Sequence, residues 1–235
     1  MSERVLVVFP TFNERENLER MVTEVRALGH DVLVVDDNSP DGTGPLADGL
    51  ASADKGMDVL HRPAKLGLGS AYVAAFRLGL ERGYDLLVEM DADGSHRVEH
   101  LPAIIDAARS GGGLGLGSRY VQDGSVVGWG LYRKLLSWGA NLYCRTLLGL
   151  GIHDCTSGFR CYTREVLERI GLDRVISEGY SFQIEMVFLA IRAGFAVVEV
   201  PIVFEDRVAG VSKVTRGEIF TDLVSVARLR LWNGR

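Results

Sequence analysis

Tyr84-Asp85-Leu86-Leu87-Val88-Glu89-Met90-Asp91-Ala92-Asp93-Gly94-Ser95-His96 decides how the rest of the chain is read. An apolar run ends abruptly in two carboxylates separated by one residue. Alternate residues of an extended chain point to the same side, so Asp91 and Asp93 can converge on one cation. The small Ala92 and Gly94 leave space beside it. Hard oxygen ligands at a strand end, with coordination positions left open, suit Mg²⁺ or Mn²⁺ bridging a diphosphate. A solvated turn uses the same residue types, because Asp and Gly are ordinary turn formers. The motif alone leaves both readings open.

Working outward, short apolar runs alternate with helical periodicity. Val5 to Phe9, Asp31 to Val35, Met57 to His61, Asp85 to Met90 and Leu114 to Gly117 read as strands. Arg15 to Leu28, Thr43 to Ala53, Gly69 to Arg82 and Val98 to Arg109 read as helices. This alternation predicts an α/β fold, a mostly parallel central sheet flanked by helices. In such sheets ligands bind beyond the carboxyl ends of the strands. The polar clusters fall there: Pro10 to Glu14 after the first strand, Asp36 to Asp41 after the second, Asp91 to His96 after the fourth.

The second half breaks the rhythm. Tyr120 to Gly130 reads as a loop, Leu131 to Leu148 as a helix, Thr156 to Tyr162 as a strand and Phe182 to Ala193 as a helix. Phe195 to Phe204 reads as a strand, where Pro201 implies an edge or a strand end. Glu205 to Arg216 reads as a polar loop, and Glu218 to Trp232 as an amphipathic terminal helix.

Composition narrows the function. The chain has 235 residues, 47% hydrophobic and 24% charged, which is ample for a folded core. A net charge of −5 gives no electrostatic case for nucleic-acid binding. Three cysteines without close metal spacing argue against a disulfide framework or zinc site and favour a reducing cytoplasm. No apolar run approaches the roughly 18 residues needed to span a bilayer, and no N-terminal signal is expected.

Two further loops carry candidate chemistry. In Asp36-Asp37-Asn38-Ser39-Pro40-Asp41-Gly42, a carboxylate can accept hydrogen bonds from a base edge or from ribose hydroxyls, although Asp-Gly turns are common. In Pro10-Thr11-Phe12-Asn13-Glu14, Phe12 can face a base or pack in the core, and Glu14 can take a ribose hydroxyl or, more simply, cap the next helix. Lys65-Leu66-Gly67-Leu68-Gly69-Ser70 and Gly113-Leu114-Gly115-Leu116-Gly117 fail as dinucleotide fingerprints by spacing and position. Cationic groups gather at Gly117-Ser118-Arg119-Tyr120, Tyr132-Arg133-Lys134 and Asp206-Arg207…Lys213. Arg133 and Ser137 stand four apart, so both can face one phosphate from a helix.

In this order the clusters closely resemble the dolichol- or polyprenol-phosphate mannosyltransferases, inverting family-2 glycosyltransferases with the GT-A fold. The resemblance runs from Pro10-Thr11-Phe12-Asn13-Glu14 through the Asp91 motif, Gly117-Ser118-Arg119-Tyr120 and Thr156-Ser157-Gly158-Phe159-Arg160. It continues to Gly179-Tyr180-Ser181-Phe182-Gln183-Ile184-Glu185-Met186 and Phe204-Glu205-Asp206-Arg207…Lys213. It implies one GT-A domain over 1–235, with 1–118 as the nucleotide-binding half and 119–235 as the acceptor half.

Carried over, the family pattern implies that Pro10, Phe12, Glu14, Val35 and Asp37 hold the nucleoside of GDP-mannose. Asp91, Asp93 and Ser95 would hold the metal, with Ala92 against the nucleotide. Phe12 stands where Tyr is usual, and Ser95 where some relatives carry the stronger ligand Gln. Arg119, Arg207 and Lys213 would contact donor or acceptor phosphates, and Arg133 and Ser137 the lipid phosphate. The implied reaction is mannose transfer to a polyprenyl phosphate, on the cytoplasmic face of a membrane. Many relatives add membrane helices, so a separate membrane-anchoring subunit is a possible partner. Transfer of glucose from UDP-glucose and a non-catalytic nucleotide-sugar-binding subunit are the competing readings. The helix Leu131 to Leu148 and the terminal helix carry apolar faces beside cations, as interfacial helices do. Core packing is expected to absorb most of each.

Overall fold

The computed structural model describes residues 3–206 and 225–231. Nine elements follow the expected alternation: β1 (Val5–Thr11), α1 (Arg15–Ala27), β2 (Asp31–Asp36), α2 (Thr43–Ala53), β3 (Met57–His61), α3 (Leu68–Glu81), β4 (Leu86–Glu89), α4 (Leu101–Gly111) and β5 (Gly113–Ser118). The remainder are β6 (Ser125–Val127), α5 (Leu131–Leu148), β7 (Arg160–Thr163), α6 (Arg164–Ile170), α7 (Gly179–Arg192), β8 (Ala196–Pro201) and β9 (Val203–Glu205). The main sheet has seven strands in the order β3-β2-β1-β4-β7-β5-β8, and β6 pairs with β9 separately. Pairings are parallel except where β7 runs antiparallel between β4 and β5. Among the described residues no helix is long and apolar enough to cross a membrane.

The strands read as unbroken apolar runs because both sheet faces are covered. Leu6 and Val8 of β1 turn to a core shared with Tyr72 and Phe76 of α3 and Phe182 of α7. Val5, Val7 and Phe9 turn to the other core, against Leu18, Met21 and Val25 of α1. Each such buried side chain contributes about 1.5–3 kcal/mol of transfer free energy. From β1 the chain builds β2 and β3 to one side and β4 to the other, so a crevice opens beyond the carboxyl ends of β1 and β4. The glycine-alternating β5 is a packing device rather than an anion cradle. A Cβ on Gly115 would stand 2.9 Å from the backbone nitrogen of Ala108, and closer still to the carbonyl oxygen of Ile104, so α4 lies directly on the strand.

Four expectations are corrected. The stretch Tyr120 to Gly130 is not all loop, because β6 forms where β9 offers it a partner. The strand expected from Thr156 begins only at Arg160; the preceding residues form a tight loop held by the Arg160 guanidinium. The run Phe195 to Phe204 divides at Ile202, whose amide donates to the Ser118 carbonyl (3.0 Å), so its halves enter different sheets. Pro201 closes the edge strand β8, which reconciles its missing N–H. Finally, α5 is not mainly a core helix: its buried residues are Asn141, Cys144 and Leu148. Leu131, Tyr132, Leu135, Leu136, Trp138, Leu142 and Tyr143 are exposed. Of the expected terminal helix, residues 225–231 are helical and the earlier part lies outside the described residues.

Candidate active site

The β1 and β2 ends form one interlocked platform. Asp36 accepts the hydroxyls of Ser39 (2.6 Å) and Thr11 (3.2 Å), while the Thr43 hydroxyl donates to Asp41 (2.6 Å) and accepts the Glu14 amide (3.1 Å). Glu14 occupies the N-cap of α1, but its side chain makes no capping hydrogen bond, so the simple cap explanation fails for the carboxylate. Asp37 is buried and faces Arg62, whose Nε stands 3.1 Å from Oδ1, close enough to pair yet not aligned as a hydrogen bond. The Leu66 amide donates to its other oxygen (3.0 Å). Burial pushes the Asp37 carboxyl up, against the pull of Arg62. The Lys65 ammonium lies 4.7 Å from the centroid of the half-buried Phe12 ring. Pro10 is half-buried beside them, whereas Val35 is fully buried and its carbonyl already accepts the Thr11 hydroxyl (3.3 Å), so Val35 presents no surface to a ligand.

Across the crevice, the Asp91 loop is held from three sides. The Asp93 carboxylate accepts the Ser95 amide (3.0 Å), and Gly94 takes the left-handed φ of 81° that this turn requires. The Asp91 amide donates to His96 Nδ1 (3.0 Å), which leaves the ring proton on Nε2. His96 stacks on Phe159 (4.9 Å), and burial pushes its pKa down to about 4, so the ring is neutral near pH 7. The Glu205 amide donates to the Ser95 carbonyl (3.3 Å), tying the loop to β9. Ala92 is turned into the core with Val98 and Leu101 and is almost wholly buried.

Among the described residues no three His, Cys, Asp or Glu side chains form a ready-made cage. The oxygen set Asp91, Asp93 and Ser95 nevertheless fits a hard divalent cation. The Ser95 Oγ is buried and lacks a hydrogen-bond partner among the described residues, an oxygen that a metal or its water would satisfy. Behind the loop, Glu89 is wholly buried opposite Arg160, and burial raises its carboxyl to about 7.

Arg119 leaves the end of β5 and is anchored by Asp154. Its Nε and Nη2 each donate 2.7 Å to that carboxylate, and Nη2 also donates to the Thr156 hydroxyl (2.7 Å). Asp154 is fully buried; although burial opposes its charge, Arg119 holds its carboxyl below the usual range. Arg133 and Ser137 share one face of α5, as their spacing predicts. Arg133 donates to Asp206 (2.9 Å), and Ser137 accepts the Tyr120 hydroxyl (2.7 Å). Arg207 and Lys213 lie outside the described residues. Sequence reasoning missed Arg62 and Asp154, single charges in loops with no motif spacing.

The model of the family described as Glycosyl transferase family 2 matches residues 6–171. The chain is a family-2 glycosyltransferase. Its sheet, flanking helices and acidic loop beyond β4 are those of the GT-A fold. A polyprenol monophosphomannose synthase of Mycolicibacterium smegmatis is 54% identical over 96% of this chain and 86% of its own length. An undecaprenyl-phosphate mannosyltransferase of Micrococcus luteus is 49% identical over 98% of this chain and 97% of its own. Among solved structures, glucosyl-3-phosphoglycerate synthase of Mycobacterium tuberculosis with Mn²⁺, UDP and product aligns at a TM-score of 0.65, with 20% identity over 98% of this chain and 79% of that one. The mannosyltransferase PcManGT of Pyrobaculum calidifontis with GDP-Man and Mn²⁺ aligns at 0.63, with 18% identity over 100% of this chain and 66% of that one. At these identities the structural likeness bears on the glycosyltransferase fold alone.

Proposed function

We propose that the enzyme transfers mannose from GDP-mannose to a polyprenyl phosphate, with inversion, at the surface of a membrane. The observation that carries this reading is α5. Its cationic Arg133 and its Ser137 turn toward the Arg119 side of the crevice, while the same helix exposes a run of large apolar side chains. An acceptor with an anionic head and a hydrocarbon tail fits that helix. The two curated relatives, similar over nearly the whole chain, carry names that state such a product or acceptor.

In the reaction, Phe12, Asp37 and Pro10 hold the nucleoside with Val35 packed behind them, and Glu14 serves the ribose. Mg²⁺ or Mn²⁺, held by Asp91, Asp93 and Ser95, would neutralise the charge that builds on the departing diphosphate. Arg133 and Ser137 hold the acceptor phosphate, and Arg119 screens the two anions from one another. Arg207 and Lys213 complete the cationic set on the donor diphosphate. A phosphate oxygen of the acceptor forms the new bond to the anomeric carbon as the bond to GDP breaks, and GDP leaves with the electron pair. The nucleophile is already ionised near neutral pH, so no general base is needed; His96, neutral and stacked, serves the loop's shape instead. Residues 1–118 serve the donor and 119–235 the acceptor, apart from Arg207 and Lys213, which reach across to the donor diphosphate.

The test is radiolabelled sugar transfer into an organic-extractable lipid, with polyprenyl phosphate, Mg²⁺ or Mn²⁺, and GDP-mannose or UDP-glucose in parallel. Label from GDP-mannose alone, lost with EDTA, is the expected result. Label from UDP-glucose alone overturns the donor, and donor binding without turnover overturns the catalytic reading. Transfer that requires added membrane extract would reveal dependence on a separate anchoring subunit.

A further inference from the structure

An aromatic row joins the metal loop to α5. His96 meets the edge of Phe204 (centroids 5.5 Å apart), and Phe204 meets the edge of Trp129 (5.4 Å). Both site arginines lie over the far end of this row. The Arg133 guanidinium carbon is 4.0 Å from the Trp129 centroid, and that of Arg119 is 5.6 Å away. Trp129 lies between β6 and α5, two residues before the helix begins.

Two features of Trp129 are not accounted for by packing among the described residues. The first is the stacked Arg133. This residue sits near the exposed start of α5, where a long flexible side chain would sample many rotamers. Held 4.0 Å over the ring, the guanidinium loses much of that freedom. Asp206 takes Nη1, and the remaining N–H groups of the fork lie in the guanidinium plane. The second is the indole nitrogen. Trp129 Nε1 is buried and has no hydrogen-bond partner among the described residues. Indole N–H only donates, and when buried it ordinarily finds an acceptor. Beside two guanidinium groups, the acceptor that fits is an oxyanion.

We propose that Trp129 belongs to the acceptor-phosphate site: its ring orients Arg133, and its Nε1–H donates to a phosphate oxygen. This rests on the reading of Arg133 and Ser137 as the acceptor site.

The test is calorimetric titration of the whole chain with farnesyl phosphate, with farnesol as the tail-only control, for the wild type, Trp129→Phe and Trp129→Leu. Losing the N–H in Trp129→Phe is expected to weaken farnesyl phosphate binding about threefold, and losing the ring in Trp129→Leu about tenfold or more. GDP affinity and Tm should not move, and in turnover the acceptor KM should rise while the donor KM stays fixed. A wild type that does not distinguish farnesyl phosphate from farnesol defeats the acceptor-site reading and this proposal with it. A wild type that distinguishes them, with both variants unchanged, overturns this proposal alone. Parallel losses of GDP affinity or Tm would make Trp129 structural and also overturn it. A normal Trp129→Phe beside a weakened Trp129→Leu would keep the ring and remove the N–H.

Discussion

The loops proposed to hold the donor and the helix proposed to hold the acceptor solve opposite problems. At the ends of β1 and β2, Thr11, Ser39, Asp36, Asp41 and Thr43 satisfy one another before any ligand arrives. Along α5, by contrast, only Asn141, Cys144 and Leu148 are buried, and large apolar side chains face outward. A nucleotide is a rigid ligand with fixed donors and acceptors, so a preorganised polar platform suits it. A lipid surface has no fixed atoms, so a helix that leaves its burial unfinished suits that. The difference teaches that, among the described residues, the first platform is complete in itself while the α5 face is left open, as the acceptor role proposed for that helix requires.

The comparison breaks first at the metal loop. Asp93→Asn keeps an oxygen for the Ser95 amide but loses the charge, so transfer should fall by about 10³-fold while Tm holds, by the radiolabel assay and a thermal scan. Near-normal turnover would remove the acidic loop from the chemistry. Next comes the anchor of Arg119, within residues 119–235. Asp154→Asn strands the buried Arg119 charge and should cost about 3 kcal/mol of stability in urea titration. Asp154 is depressed in the folded state, so its contribution is full above the unfolded value of 3.8 and is lost as pH falls through the lower folded value. The gap between wild type and variant should therefore close in acid; a gap that widens there defeats the assignment.

Smaller effects sharpen the acceptor side. Arg133→Met should raise the KM for lipid phosphate about tenfold and leave the donor KM unchanged. Its half-exposed pair with Asp206 is worth under about 1 kcal/mol, so Tm should not register the change. A shift in donor KM instead would move Arg133 to the other half of the comparison. Smallest, Trp138→Ser should weaken binding to anionic vesicles about fivefold in a sedimentation assay without loss of stability. A large loss of Tm would mean that this face is already buried in the protein.

The first half of the fold was legible because its strands are buried on both faces and its helices are amphipathic, so periodicity switches cleanly at each boundary. The acidic pair at the end of β4 and the Arg133–Ser137 spacing were legible for the same geometric reason. The β6 strand was not, since its three residues are strand only through β9, far along the chain. Helix α6 starts at a Thr163 hydroxyl that accepts the Val166 amide (3.4 Å), a cap signal hidden at the end of a short strand. The outward apolar face of α5 could not be told from a core face, because a helical stripe has the same period whichever way it points. Arg62 and Asp154 left no pattern at all; their partners are fixed by tertiary structure.

Residues 201–206 also limit how such an enzyme can be rebuilt. This short stretch ends one sheet at Pro201, bridges His96 through Phe204, touches the Ser95 carbonyl through Glu205 and meets Arg133 through Asp206. A chimera that exchanged α5 alone to accept a different lipid would carry the wrong seam against the metal loop. The transferable cassette is α5 together with β6 and β9, and acceptor preference should travel only when all three are grafted as a unit.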